Sequence, residues 1–276
     1  IAIPSAVEEA LDKAGLKAEP LMEHLKTNAS QYLEAMSQLL PKNGLQFRHV
    51  VRRGPAAEAI LDFVDQNEIH MIVMASHGYS GIRRWRHGSV AERVLLSANI
   101  PVLLVRAKEE VSKALPEASQ CRRILVPLDG SEMAEQVLPA VALVAKALGC
   151  KVTLFRVHTI QTSSSHMAEW ALPLQDSLAL SAQEDIAYLQ RVASDLEEQG
   201  IESTTATWMG AIAESIIDYA DTNDIDLIAM CTHGRTGIIR WALGSIADRV
   251  LRAGNKPLLL VRARQSRNRL VTEKVN

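Results

Sequence analysis

Two stretches of the sequence concentrate residues suited to holding an anion: MCTHGRTGIIRWALGS, beginning at Met230, and MASHGYSGIRRWRHGS, beginning at Met74. Each carries three glycines, which let a backbone approach a ligand closely and adopt positive φ. Each ends on Gly-Ser immediately before an amphipathic run, SIADRVLRAG or SVAERVL. A helix starting there turns unpaired N–H groups and its positive dipole end toward the loop. Ser245 with Asp248, and Ser89 with Glu92, have capping-box spacing, so the serines are expected as N-caps. Arg235 and Arg240, with Arg83, Arg84 and Arg86 in the other stretch, add positive charge. The chemistry this points to is phosphate binding by backbone donors. The plain alternative is a capped helix start with solvated arginines.

Other chemistries find less support. The sequence has no G-x-x-x-x-G-K-(S/T) and no G-x-G-x-x-G. His77 and His233 titrate near neutrality, but no nucleophile stands beside them, and orienting the loop is the expected role. Cys231 sits at the loop, yet the other stretch has Ala75 there, which favours a small buried filler over a redox group. Asp129 alone is thin support for Mg²⁺. Trp85 and Trp241 read as packing or interface residues, and SSSH (163–166) as a loop rather than a phosphorylation site. No catalytic residue and no protein metal site is therefore assigned. Three cysteines without C-x-x-C spacing argue against a disulfide framework and for a reducing compartment.

The elements that must position these loops come in two copies. Residues 71–106 and 227–262 align without a gap at an offset of 156, with 20 identities in 36 positions. The register extends upstream, where GPAAEAILDFVDQN faces GAIAESIIDYADTN, so the chain is a duplication with too long a period for a solenoid. The second copy reads as strand (124–129), helix (131–149), strand (151–157), a polar excursion (158–177) and an amphipathic helix ending near Gly200. Strand (201–208), helix (211–223), strand (226–231), glycine loop, helix (245–254) and strand (257–263) follow. Continuous apolar strands alternating with helices imply a parallel sheet covered on both faces, doubly wound by right-handed crossovers. The first copy keeps a long helix (19–40), two further helices, and strands at LQFRHVV, MIVMA and PVLLVRA. Its first strand, first helix and second strand fall before Ile1 in this register. The expectation is that a preceding stretch of ~30–40 residues belongs to that copy, and that without it apolar surface and strand edges stay exposed.

The expected organisation is a first, N-terminally incomplete domain (1–107), a linker (108–121), a complete second domain (122–264) and a charged tail (265–276). A net charge of −2 gives no reason to expect nucleic acid or an anionic membrane as partner. No long apolar run spans a membrane, and IAIPSAVEEALDKAG is neither signal nor transit peptide, so a cytoplasmic location is expected.

VPLDGS closing a short strand, then (S/T)-H-G nine residues before Gly-Ser, then a P-(V/L)-L-L-V strand, together resemble the universal stress protein family as a tandem pair. The resemblance implies two five-stranded α/β domains of adenine nucleotide alpha-hydrolase-like fold, and ATP, or alternatively AMP or ADP, as ligand, with Mg²⁺ an optional companion. Carried over by position, Pro127, Asp129 and Val157 line the adenosine side and Met230 ends strand four. Gly234, Gly244, Ser245 and Ile246 hold the phosphates. Met74, Gly78, Gly88, Ser89 and Val90 match in the first copy, with no counterpart of Asp129 in the sequence. The family's G-x-x-G-x9-G-(S/T) pattern is broken at its first glycine, which falls on Cys231 and Ala75. The resemblance also implies antiparallel pairing of the two fifth strands into a pseudo-dimer, with homodimerisation as a further mode. The function implied is a nucleotide-binding stress regulator without rapid catalysis. A protein-interaction module without nucleotide, and a slow ATPase or nucleotidyl transferase, are the alternatives.

Overall fold

The computed structural model describes residues 13–15, 17–40, 44–75, 88–105, 121–159, 171–232 and 243–263. The chain divides into two compact units, Ile1–Glu68 and Ile69–Asn276.

The second unit is built on a mixed sheet of seven described strands: β1 (Ile72–Ala75), β2 (Val102–Val105), β3 (Arg123–Pro127), β4 (Lys151–His158), β5 (Ser203–Met209), β6 (Leu227–Cys231) and β7 (Leu258–Val261). The order is β1-β2-β7-β6-β3-β4-β5. All neighbours are parallel except β2 and β7. The five strands of the second copy thus run β7-β6-β3-β4-β5, the doubly wound arrangement expected. Two separate five-stranded sheets are not what forms: the first copy contributes β1 and β2 to the same sheet as the second.

Sequence composition follows position in this sheet. Central β6, LIAMC, is buried at every residue, as a parallel strand covered on both faces must be. Edge strand β5, STTATWM, is mostly exposed and rich in threonine. One face is packed by α5 (Leu138–Leu148) and the described end of α6 (Ala171–Glu197), through Ile124, Val126, Val152 and Leu154 against Val141, Val144, Leu189 and Val192. On the other face Phe155 meets Tyr219 of α7 (Ile212–Thr222), ring centroids 4.5 Å apart. The helix expected over 131–149 is two pieces, α4 (Glu132–Glu135) and α5, because Pro139 cannot donate a helical hydrogen bond and sits in a first turn instead. The described part of α6 runs from Ala171, inside the expected excursion.

The seam between the copies is symmetric. Leu103 pairs with Leu259, Val102 with Leu260 and Leu104 with Leu258. Leu103 and Leu259 are each other's equivalents at offset 156, so an approximate two-fold axis passes between them.

In the first unit α1 (Ala18–Leu39) and α2 (Ala56–Gln66) form as expected, but LQFRHVV carries no strand. Its counterpart β5 pairs only with β4, and the register position of β4 in the first copy precedes residue 3. Among the described residues no strand pairs with the segment to give it a ladder. Equivalent positions show what the sheet does for the second copy. Leu40 is 48% exposed where Leu196 is 1%, and Leu45 is 63% exposed where Ile201 is 4%. Among the described residues of this unit only Ala57 is buried.

Leu259 is fully buried beside its half-buried equivalent, so a charge there has no partner. Leu103→Glu with Leu259→Glu is expected to destabilise the second unit by roughly 3 kcal/mol or more, read as a lowered urea midpoint. An unchanged midpoint and hydrodynamic size would remove the seam as a structural element.

Candidate functional site

Strand β3 pairs with β4 on one side and β6 on the other, so connections leave it in opposite directions. The crevice at the carboxyl ends of β3 and β6 is therefore the switch point where such sheets take ligands.

Pro127 ends β3, and the Leu128 N–H extends the ladder to the Phe155 carbonyl at 2.8 Å. Asp129 then makes a tight turn. Its Oδ1 accepts from the Ser131 N–H at 3.0 Å and the Ser131 hydroxyl at 2.6 Å. The Ser131 hydroxyl in turn accepts from the Ala134 N–H at 3.1 Å, capping α4. Gly130 has φ 81°, which favours glycine, and a Cβ there would also displace the Arg156 guanidinium, 2.5 Å away at Nη1.

On the neighbouring strand, Met230 and Cys231 end β6 in register with Leu260 and Val261. The Thr232 carbonyl accepts from the Gly244 N–H at 2.7 Å. This bond ties the end of β6 to the start of α8 (Ser245–Ala253) and closes the glycine excursion at its base. Gly244 is the N-cap of α8, with its carbonyl accepting from the Asp248 N–H at 2.8 Å. Gly88 plays the same part for α3 (Ser89–Ser97), accepting from the Glu92 N–H at 3.0 Å. The serine N-caps expected from the sequence are corrected here. Ser245 and Ser89 are the first helical residues, neither helix has a side-chain cap bond, and Asp248 pairs with Arg252 at 2.7 Å instead. A glycine cap leaves the first-turn N–H groups of Ser245, Ile246 and Ala247 without a competing side-chain acceptor at the cap.

Pro127, Asp129, Met230, Gly244, Ser245 and Ile246 thus lie at the carboxyl ends of two adjacent strands, with half-buried Val157 on β4 next to them. Gly234 and Gly78 lie outside the described residues, as do His77, His233, Trp85, Trp241, Arg83, Arg84, Arg86, Arg235, Arg240 and 163–166. Met74 lies on β1, and Gly88, Ser89 and Val90 open α3, but β1 pairs only with β2 among the described residues. The first copy has no described strand on which an adenosine side could be built.

Cys231 points into the core cluster shared with Ala134 and Val137. Burial pushes its thiol up to about 12, a hydrogen bond from the Val137 backbone opposes this, and the charge of Asp129 adds to it. Buried away from solvent as well as protonated, Cys231 is a filler at neutral pH.

The sequence reading missed a polar network on the α6 side of the crevice. Asp185 holds Arg156 Nε at 2.7 Å and His158 Nδ1 at 3.0 Å, all three side chains being at least four-fifths buried. The Arg156 guanidinium stands 5.3 Å from the ring centroid of Tyr188, whose hydroxyl donates to Glu135 Oε1 at 2.9 Å. Burial, with Glu135 next, raises the Tyr188 phenol above its usual range. The signal was present: in KVTLFRVH an apolar strand ends on two polar residues two apart, hence on one face. Among the described residues His158 Nε2 is buried without a hydrogen-bond partner, and no three His, Cys, Asp or Glu side chains are grouped to hold a metal.

Asp185→Ala strands the Arg156 charge, and is expected to cost about 2–3 kcal/mol in urea unfolding. Arg156→Met should remove most of that cost in a double-mutant cycle. Additive effects would show that the pair is not coupled.

The family model described as "Universal stress protein family" matches residues 3–106 and again 120–262. A universal stress protein of Methanocaldococcus jannaschii is 30% identical over 143 residues, 51% of this chain and 82% of that protein. One of Mycobacterium bovis is 26% identical over 197 residues, 71% of this chain and 63% of that protein. The crystal structure of a universal stress protein from Archaeoglobus fulgidus matches with a TM-score of 0.60 at 20% identity, covering 90% of this chain and 81% of that one. Both halves of the sequence matching one family model, over a switch-point crevice of the matching fold, place this chain in the universal stress protein family as a tandem, two-copy member.

Proposed function

We propose that the second copy binds an adenine nucleotide, ATP or else AMP or ADP, and that the protein acts in the cytoplasm as a stress-response regulator rather than a rapid enzyme. The observation that carries the reading is the Gly244–Thr232 bond. It holds the start of α8, a glycine cap with no side-chain cap bond, at the carboxyl end of β6, one strand from Asp129. On this reading Pro127, Asp129 and Val157 receive the nucleoside. Gly234, Gly244, Ser245 and Ile246 receive the phosphates, with Mg²⁺ as an accompanying ion. On this reading residues 1–107 act as the first domain, 108–121 as linker, 122–264 as the second domain and 265–276 as tail. The positions Met74, Gly78, Gly88, Ser89 and Val90 form at most a phosphate half-site.

A second reading, an interaction module without nucleotide, draws on the β2–β7 pairing, which already joins two copies of the fold. Pairing between chains would then extend the same mode. Among the described residues no helix is long and apolar enough to cross a membrane.

Titration calorimetry of ATP into the full chain and into Gly244→Asp decides between the readings. Aspartate is a favoured N-cap and Gly244 has ordinary φ −57°, so the helix is expected to persist, with unchanged melting, while the added charge repels phosphate. Binding to wild type weakened about tenfold or more in the variant is the expected result. No heat with wild type would remove nucleotide binding, and equal heat would move the site elsewhere. Turnover of ~1 s⁻¹ or faster would favour an ATPase or nucleotidyl transferase.

A further inference from the structure

At the amino end of the same sheet, opposite the crevice, two thiols come together. Cys121 immediately precedes Arg122 and β3; Cys150 immediately precedes β4. The Cys150 thiol donates to the Cys121 carbonyl oxygen at 3.1 Å, which sets its sulfur against the backbone of Cys121. The backbone fixes both. Asp226 Oδ2 accepts from the Arg122 and Arg123 N–H groups at 2.7 and 3.0 Å, and Lys151 N–H donates to the Arg122 carbonyl at 2.8 Å. Gly149 closes α5 in the left-handed region, φ 68°, and turns Cys150 back onto β3, its N–H on the Ala145 carbonyl at 3.0 Å. Cys150 is buried; Cys121 is half-buried and reachable from solvent.

We infer that Cys121 and Cys150 are a reversible oxidation site, forming a disulfide when the protein meets a hydroperoxide. The Cys121 sulfur attacks a peroxide oxygen and the O–O bond breaks. The thiol proton leaves with the departing oxygen as water or alcohol, and Cys121 becomes a sulfenic acid. The Cys150 sulfur then attacks the sulfenic sulfur, and the hydroxyl departs with the Cys150 proton as water. Two thiols lose two electrons and the peroxide gains them. Burial, followed by the neighbouring thiol and Asp226, pushes Cys121 up to about 12, so the attack goes through the small deprotonated fraction and oxidation is slow, needing a strong or sustained exposure. The bond closes a 30-residue loop, Cys121 through Cys150, that includes β3, α4 and α5. It thereby locks the end of the inter-copy linker to the strand behind the candidate site. Such a conditional bond is distinct from the structural framework that the cysteine spacing argues against.

The test is intact-mass analysis of the folded full chain after hydrogen peroxide, followed by alkylation and peptide mapping. The expected result is a loss of about 2 Da, a Cys121–Cys150 cross-linked peptide, one alkylatable thiol after unfolding, and reversal by dithiothreitol. Cys231→Ser should behave as wild type and Cys121→Ser should keep its full mass, whereas Cys150→Ser, with no resolving thiol, should gain one or two oxygens at Cys121 and form no cross-link. Melting of the oxidised wild type should rise by roughly 5 °C. An unchanged mass under conditions that oxidise the unfolded chain would overturn the inference. So would a cross-link through Cys231, or stable sulfinic acid at Cys121 with Cys150 still alkylatable.

Discussion

The organisation of the second unit depends on one antiparallel ladder. Pairing Leu103 with its own repeat equivalent Leu259 makes the seam self-complementary, because every contact on one side has its image on the other. Parallel sheets grow by crossovers on one chain, and an edge of apolar residues such as VLLV or LLLV is a hazard if left open. The duplication closes that edge twice in one step. It converts two exposed ladders into one buried seam, with Val102, Leu104, Leu258, Leu259 and Leu260 all inside. β1 and β2 accordingly belong to the unit of the second copy rather than to the helices that precede them in sequence.

The same symmetry lets equivalent positions of the two copies be compared directly. Val73 on β1 is 61% exposed, whereas its equivalent Ala229 on β6 is fully buried between β3 and β7. Helices α1 and α6 share a register, yet Met36 is exposed where Val192 is buried. Nothing in the helix sequence itself distinguishes these cases. The apolar pattern is an instruction to pack, and the outcome depends on whether β3 and β4, or their counterparts, are there to receive it.

That dependence also explains what could be read from the sequence. The β3-to-β7 alternation, the glycine stop at Gly149 and the repeat register are local or periodic, and each appears in the fold where the residues place it. LQFRHVV failed as a strand because strand formation is a property of pairs, and its apolar alternation carries no information about its neighbour. The serine caps failed because a glycine with extended ψ at the preceding position takes the cap, and Asp248 finds Arg252 one turn on. Of the candidate site, the residues at strand ends and helix starts were legible by motif. The Arg156–Asp185–His158 cluster was not, since Asp185 lies 27 residues beyond His158 on a helix whose rotation only the packed structure fixes.

This cluster gives the asymmetry between the copies a chemical form. At offset 156 the position of Asp185 is Ala29, and Tyr188, tied to Glu135, corresponds to the exposed Tyr32. Alanine cannot hold an arginine and a histidine, so a site with the polar wall of the second copy is not encoded in the first helix. The glycine–serine helix starts, by contrast, are the same in both copies down to the glycine cap. A helix start supplies a generic anion cradle, whereas buried Arg156 and the Asp129 turn shape one particular crevice beside it. Divergence has therefore fallen on the polar wall of the crevice and spared the glycine–serine helix starts.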